Sequence, residues 1–189
     1  MKSIIIMASG SGSNAENIVK YFEGNENIQV TAIFSNKRDA KVLERASKLG
    51  ISAYYFNKTA FSKGQLVELF KALNPDLIVL AGFLWKLPTD LVAAFDHKII
   101  NIHPALLPKY GGKGMFGMNV HKAVKENKET ESGISIHFVN EHYDKGNMIF
   151  QAKTPVLDSD TADHIAQKVH ALEYEHFPRI IEKLLNGKI

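Results

Sequence analysis

Cysteine is absent from the chain, which excludes a disulfide framework and a thiolate metal site and makes a cytoplasmic location the default expectation. A block of like charges is also missing. The lysines are scattered and the formal net charge is only +3, so nucleic acid is not expected as a partner. No apolar run approaches the roughly 20 residues that a membrane-spanning helix needs, so no membrane association is expected either. The opening Met1-Lys2-Ser3-Ile4-Ile5-Ile6-Met7-Ala8 is too short for the apolar core of a signal peptide and leads into a glycine loop, so it reads as a buried strand. There is no internal repeat, low-complexity tract or linker. The 189 residues, with 45% apolar and 23% charged side chains, are expected to form one soluble globular domain spanning 1–189.

What is present is an alternation of short β-branched runs with longer amphipathic ones, the pattern of a mostly parallel sheet with helices on both faces. Strands are expected over Ser3–Ala8, Val30–Ser35, Ser52–Phe56, Leu77–Ala81 and Ile99–His103, then Ile134–Val139 and Met148–Lys153. Helices are expected over Asn14–Phe22, Ala40–Leu49 capped by Asp39, Ser62–Leu73, Pro88–Phe95 and Val120–Glu126. A further helix should run from Thr161 to about Glu175 with Asp160 as its cap, and Pro178 should set off a separate helical segment to about Leu185. Between Ile99–His103 and the next helix regularity fails. Tyr110–Gly117 holds four glycines in eight residues, which marks a functional or mobile segment.

The stretch Ile99-Ile100-Asn101-Ile102-His103-Pro104 delivers two polar side chains at the end of an apolar run. Asn101 and His103 share one face of a strand, and Pro104 then disfavours further regular structure. This is the carboxyl end of a buried strand, where open α/β sheets put their active sites. A satisfied, purely structural histidine fits the same pattern. In the first loop, Gly10 and Gly12 allow close approach of an anion, and Ser13 and Asn14 can offer hydroxyl, amide and helix-terminal N–H groups to a phosphate. The loop lacks the third glycine of the dinucleotide fingerprint and the Gly-Lys-Ser/Thr of a P-loop, so a simple tight turn also fits. Asp144, in a turn between two strands, would orient His103 and raise its pKa if the fold brought them together, or would merely shape the turn. His121, His137, His142, His164, His170 and His176 read as surface or packing residues, and no His-Glu-x-x-His or similar metal-ligand spacing occurs.

Taken together, Asn101-Ile102-His103-Pro104-Ala105-Leu106-Leu107-Pro108, Asp144 and the opening Ser9-Gly10-Ser11-Gly12-Ser13-Asn14 closely resemble the folate-dependent phosphoribosylglycinamide formyltransferase family. The likeness extends through Val30–Lys37, Pro75–Phe83, Gly133–Val139 and Gln151–Lys153. It implies a Rossmann-like domain with a mostly parallel, mixed seven-stranded sheet, and Asn101, His103 and Asp144 as a catalytic trio. It further implies that Gly12, Ser13 and Asn14 hold a substrate phosphate and that Glu173 contacts the glycinamide end. Leu84, Trp85, Lys86 and Leu87 would line a folate pocket together with Asn101, Lys63 would meet the folate tail, and the loop Glu141–Asp144 would cover the pterin. Leu107-Pro108 would be a cis peptide. The implied reaction passes the formyl group of 10-formyltetrahydrofolate, a co-substrate, to the amine of glycinamide ribonucleotide, with no metal; the implied assembly is a monomer or weak homodimer.

Departures from the family pattern fall at Trp85-Lys86, at a short segment around Phe61-Ser62-Lys63, at an apparent insertion Gly112–Met118, and at Lys145-Gly146-Asn147. Formyltransferases acting on methionyl-tRNA or a nucleotide sugar, and formyltetrahydrofolate hydrolases, could share the trio. The short chain and the Gly-Ser-Gly-Ser-Asn loop favour a small phosphorylated acceptor. A non-catalytic nucleotide sensor using the same loop is the alternative from another class.

Overall fold

The β-branched runs become strands and the amphipathic runs become the helices that cover them. The computed structural model describes residues 1–142 and 144–189, and Tyr143 lies outside the described residues. In chain order the elements are β1 (Lys2–Met7), α1 (Ser13–Tyr21), β2 (Ile28–Ser35), α2 (Lys41–Lys48), β3 (Ser52–Tyr55), α3 (Lys58–Ser62) and α4 (Gln65–Leu73). They continue as β4 (Leu77–Leu80), α5 (Thr89–Ala94), β5 (Ile99–His103), α6 (Met118–Glu126), β6 (Glu131–Phe138), β7 (Met148–Pro155) and α7 (Ala162–Leu185).

The strands form one seven-stranded sheet in the order β3-β2-β1-β4-β5-β6-β7, parallel from β3 to β5 and antiparallel beyond. Successive side chains of the central strands go to opposite faces, so both faces must be apolar. Ile4, Ile6, Val79, Ile100 and Ile102 belong to a core with residues of α1, α2, α6 and α7. Ile5, Met7, Ile78, Leu80 and Ile99 belong to a second core with residues of α3, α4 and α5. The chain winds outward from β1 to β3 and returns on the other side at β4, so the strand order reverses between β1 and β4. A crevice opens at the carboxyl ends of strands at such a reversal. Ser9 ties its loops together: its hydroxyl donates to Asn36 Oδ1 (2.7 Å) and accepts from the Leu84 N–H (2.9 Å).

Four local expectations are corrected, two of them by partners distant in sequence. Helix α2 has no side-chain cap from Asp39, because the Val42 N–H donates to the Gly10 carbonyl of the first loop (3.1 Å). The helix expected over Ser62–Leu73 is two, α3 capped by Asn57 and α4 starting after Gly64, whose left-handed backbone (φ 74°) separates them. At α7 the cap is Thr161 in a reciprocal pair with His164, while Asp160 accepts from the Leu157 N–H and from Lys168.

Helix α7 also runs unbroken through Pro178 to Leu185. Proline at 178 leaves the carbonyl of Tyr174 without its helical donor, and the Asn17 side-chain amide of α1 supplies one at 3.0 Å. Asn17→Ala should therefore destabilise the fold by about 0.5–1 kcal/mol, and by less in a Pro178→Ala background where the helix provides its own N–H. Urea denaturation of the four variants measures this; equal losses in both backgrounds would break the link.

Candidate active site

Asn101 and His103 leave the end of β5 on one face, and the antiparallel register sets His137 opposite Asn101 and Ser135 opposite His103. Ser135 secures the turn after β5: its hydroxyl donates to the Ala105 carbonyl (2.6 Å) and accepts from the Leu107 N–H (2.9 Å) and Gln151 Nε2 (2.8 Å). Leu107-Pro108 is cis, as the resemblance implied. The turn leads to Tyr110, whose carbonyl lies 2.7 Å from His103 Nε2. A carbonyl can only accept, so Nε2 carries a proton and Nδ1 is the nitrogen that titrates.

Nδ1 of His103 faces Asp144 Oδ2 at 3.8 Å, beyond hydrogen-bond length. The fold thus brings together the trio named from the sequence. Burial pushes the His103 pKa below the ordinary histidine value; the Asp144 carboxylate, and after it the Tyr110 carbonyl, offset part of that loss. Asp144 thus raises the histidine pKa as the sequence reading expected, but desolvation outweighs it and the net shift is downward. Asp144 has a left-handed backbone (φ 52°) and its Oδ2 accepts the Gly112 N–H at 2.8 Å. Burial alone would raise its pKa, but His137, the Gly112 N–H and His103 together hold it below the usual carboxylate value, so it stays ionised at neutral pH.

The first loop supplies a second set of groups. Helix α1 begins after Gly12 (φ 77°) with no side-chain cap, leaving its first N–H groups available to an anion. Asn14 Nδ2 donates to Glu173 Oε2 of α7 (3.0 Å), which also receives His170 Nδ1 (2.8 Å). Asn14 Oδ1 is buried without a partner among the described residues. Together these groups offer donors for a phosphate beside a carboxylate able to hold an amine or hydroxyl.

One cavity of about 710 Å3 joins the two sets, a volume suited to small molecules. Gly12, Ser13, Asn14, Glu173, Asn101, His103 and Asp144 all line it, as do Leu84, Trp85, Lys86 and Leu87. The Leu84–Leu87 wall is backed by aromatic packing, Trp85 lying 5.3 Å from the Phe61 ring and 6.2 Å from Phe56 between centroids. Lys63 is not among the lining residues; it caps α3 two residues after Phe61.

Four histidines read as surface or packing residues, His121, His137, His142 and His170, line the cavity instead. His137 is buried, donates from Nδ1 to the Phe138 carbonyl (2.8 Å) and accepts at Nε2 from Asn101 Nδ2 (3.2 Å), with Asp144 Oδ1 3.6 Å away, beyond hydrogen-bond length. The signal for it was the alternation Ser135-Ile136-His137, which mirrors Asn101-Ile102-His103. His170 reaches Glu173 at a spacing of one helical turn, and that carboxylate raises its pKa. His121 is buried on α6 and burial lowers its pKa; nothing in its local sequence marked it.

The sequence pattern of the formyl transferase family matches residues 2–181. A phosphoribosylglycinamide formyltransferase of Escherichia coli (strain K12) is 36% identical over 99% of this chain and 89% of the relative. The chloroplastic one of Arabidopsis thaliana is 36% identical over 100% of this chain and 67% of the relative. The chain belongs to the phosphoribosylglycinamide formyltransferase family. Among solved structures, the phosphoribosylglycinamide formyltransferase of Streptococcus pneumoniae TIGR4 superposes with a TM-score of 0.86 at 34% identity, covering 97% of this chain and 99% of that one. The departures from this family's pattern lie on or next to the cavity wall. Trp85, Lys86 and the glycine-rich Gly112–Gly117 line it. Gly146 leaves no room for a side chain, since a Cβ there would sit 1.6 Å from the Phe138 carbonyl oxygen.

Proposed function

We propose that this cavity carries the formyl group of 10-formyltetrahydrofolate to the amine of glycinamide ribonucleotide, a step of de novo purine synthesis, with Asn101, His103 and Asp144 as the catalytic residues. The observation that carries the assignment is that these three share one cavity with the uncapped start of α1 and with Glu173. The nucleotide phosphate sits on Gly12, Ser13 and Asn14, and Glu173 holds the glycinamide end. The folate lies against Leu84–Leu87 and Asn101, with its tail directed to Lys63.

The neutral amine attacks the formyl carbon on N10. As the new C–N bond forms, the carbonyl electrons move onto oxygen. The Asn101 amide donates to that oxyanion, and so does His103 Nδ1–H once the ring has taken a proton from solvent to become the imidazolium. Burial keeps the ring's resting pKa low, and Asp144 favours the imidazolium as negative charge develops nearby. The attacking nitrogen then gives up a proton, through Asp144 and a water, to N10. The C–N10 bond breaks, the carbonyl re-forms, and tetrahydrofolate and formylglycinamide ribonucleotide leave. Phosphate binding orients the amine at a distance from the chemistry.

Among the described residues no helix is long and apolar enough to cross a membrane. Absence of cysteine supports a cytoplasmic location. A spectroscopic assay of 10-formyltetrahydrofolate consumption, with glycinamide ribonucleotide, methionyl-tRNA and water as competing acceptors, tests the reading. Rapid transfer to the ribonucleotide alone is expected. Preference for another acceptor, or nucleotide binding without turnover, overturns it.

A further inference from the structure

The main chain of Tyr110-Gly111-Gly112 holds both ionisable members of the catalytic trio. The Tyr110 carbonyl takes the Nε2–H of His103 at 2.7 Å, and the Gly112 N–H binds Asp144 Oδ2 at 2.8 Å. Among the described residues these are the shortest polar contacts either side chain makes; their contacts with each other and with His137 are 3.6 to 3.8 Å. Tyr110 adopts a left-handed backbone (φ 57°), costly for a side chain with a Cβ, and something must hold it there. Gly111 runs so close to its neighbours that no side chain would fit there, since a Cβ would lie 2.6 Å from Leu107 Cδ2 and 3.3 Å from Asp144 Cβ.

The anchor is outside the cavity. The Tyr110 ring packs on the core that carries Ile100 and Ile102, and its hydroxyl donates to Glu129 Oε1 at 3.0 Å. Glu129 also receives Lys109 Nζ at 3.0 and 3.1 Å, so one carboxylate grips two consecutive residues of the turn. Glu129 is itself fixed just after α6, its N–H donating to the Val124 carbonyl (3.2 Å). Neither Tyr110 nor Glu129 lines the cavity.

We propose that Glu129 is a positioning residue for formyl transfer: by holding Tyr110 it aims the carbonyl that fixes the His103 tautomer and the N–H that fixes the Asp144 carboxylate. This rests on the catalytic reading of His103 and Asp144. A free neutral imidazole exchanges its proton between two nitrogens, whereas a ring whose Nε2–H is held by a carbonyl keeps Nδ1 directed at Asp144. The groups facing His103 from neighbouring elements are Asp144, His137 on β6, Glu173 on α7 and His121 on α6. None is altered by a change at Glu129.

The experiment combines 15N NMR of the His103 ring with steady-state kinetics for Glu129→Ala, Glu129→Gln and Tyr110→Phe. Glu129→Ala should lower kcat roughly 10-fold or more, with KM for both substrates changed less than about twofold, because misplacement affects the reacting geometry and not the binding walls. Its His103 signals should shift toward a mixture of tautomers. Glu129→Gln still accepts from the Tyr110 hydroxyl and should recover most of kcat. If Glu129→Ala fails to fold, Tyr110→Phe, which keeps the ring packing, carries the same expectations. Wild-type kcat and unchanged ring signals in the folded variants overturn the proposal while leaving the trio in place, provided His103→Ala is inactive. Full turnover in His103→Ala overturns both.

Discussion

Asp144→Asn should lower turnover by roughly 10²-fold or more while leaving affinity for glycinamide ribonucleotide nearly unchanged. The substitution removes the negative charge 3.8 Å from His103 Nδ1 and so removes the largest effect opposing burial of the ring. The histidine pKa, already low, then falls further. A group that must be protonated to serve loses its proton as pH rises through its pKa. The alkaline limb of the kcat profile should therefore move to lower pH in Asp144→Asn. His103→Ala should cost at least a similar factor. The double variant should lose much less than the product of the two, because Asp144 acts largely through His103. Single-turnover rates for the four proteins measure this; multiplicative losses would separate the two residues.

Gly12→Val should be the most damaging change in the phosphate loop, through the fold as well as the ligand. The residue has φ 77°, and a Cβ would lie 2.4 Å from Val42 Cγ2 and 2.8 Å from Val42 Cα. Helix α2 would have to move off the loop to which the Val42 N–H is bonded. The combined backbone and packing penalty is about 2–5 kcal/mol. Nucleotide affinity should fall at least about tenfold with folate affinity little changed, as loop N–H groups lose their aim. Gly10→Ala separates the two effects, because a Cβ there meets nothing within 4 Å. It should remain as stable as wild type and still bind the nucleotide less well. Normal nucleotide binding by folded Gly10→Ala in calorimetry would remove the loop from the site.

Much of this arrangement is written locally. Period-two alternation alone puts Asn101 and His103 on one face, and the proline after them ends the strand at the place where open sheets bind ligands. The glycines at 10 and 12 similarly announce a turn that admits an anion. Partners far apart in sequence were less legible. His137 enters the site because β6 pairs antiparallel with β5 in one particular register, and a one-residue slip would turn it to the opposite face. Pro178 reads as a helix breaker until Asn17, on another helix, supplies the missing donor. Asp39 reads as a cap until the Gly10 carbonyl takes the bond from α2. The sign of the His103 shift depends on how deeply the ring is buried against how close Asp144 comes, a balance set by the assembled fold.

The most direct test of the proposed mechanism is a 15N NMR pH titration of the His103 ring in the wild-type protein and in Asp144→Asn. Nε2 is expected to stay protonated throughout, Nδ1 to titrate with a pKa below the ordinary histidine value, and this pKa to drop further when Asp144 becomes Asn. A ring that titrates at Nε2, or whose pKa is the same in both proteins, would contradict the mechanism.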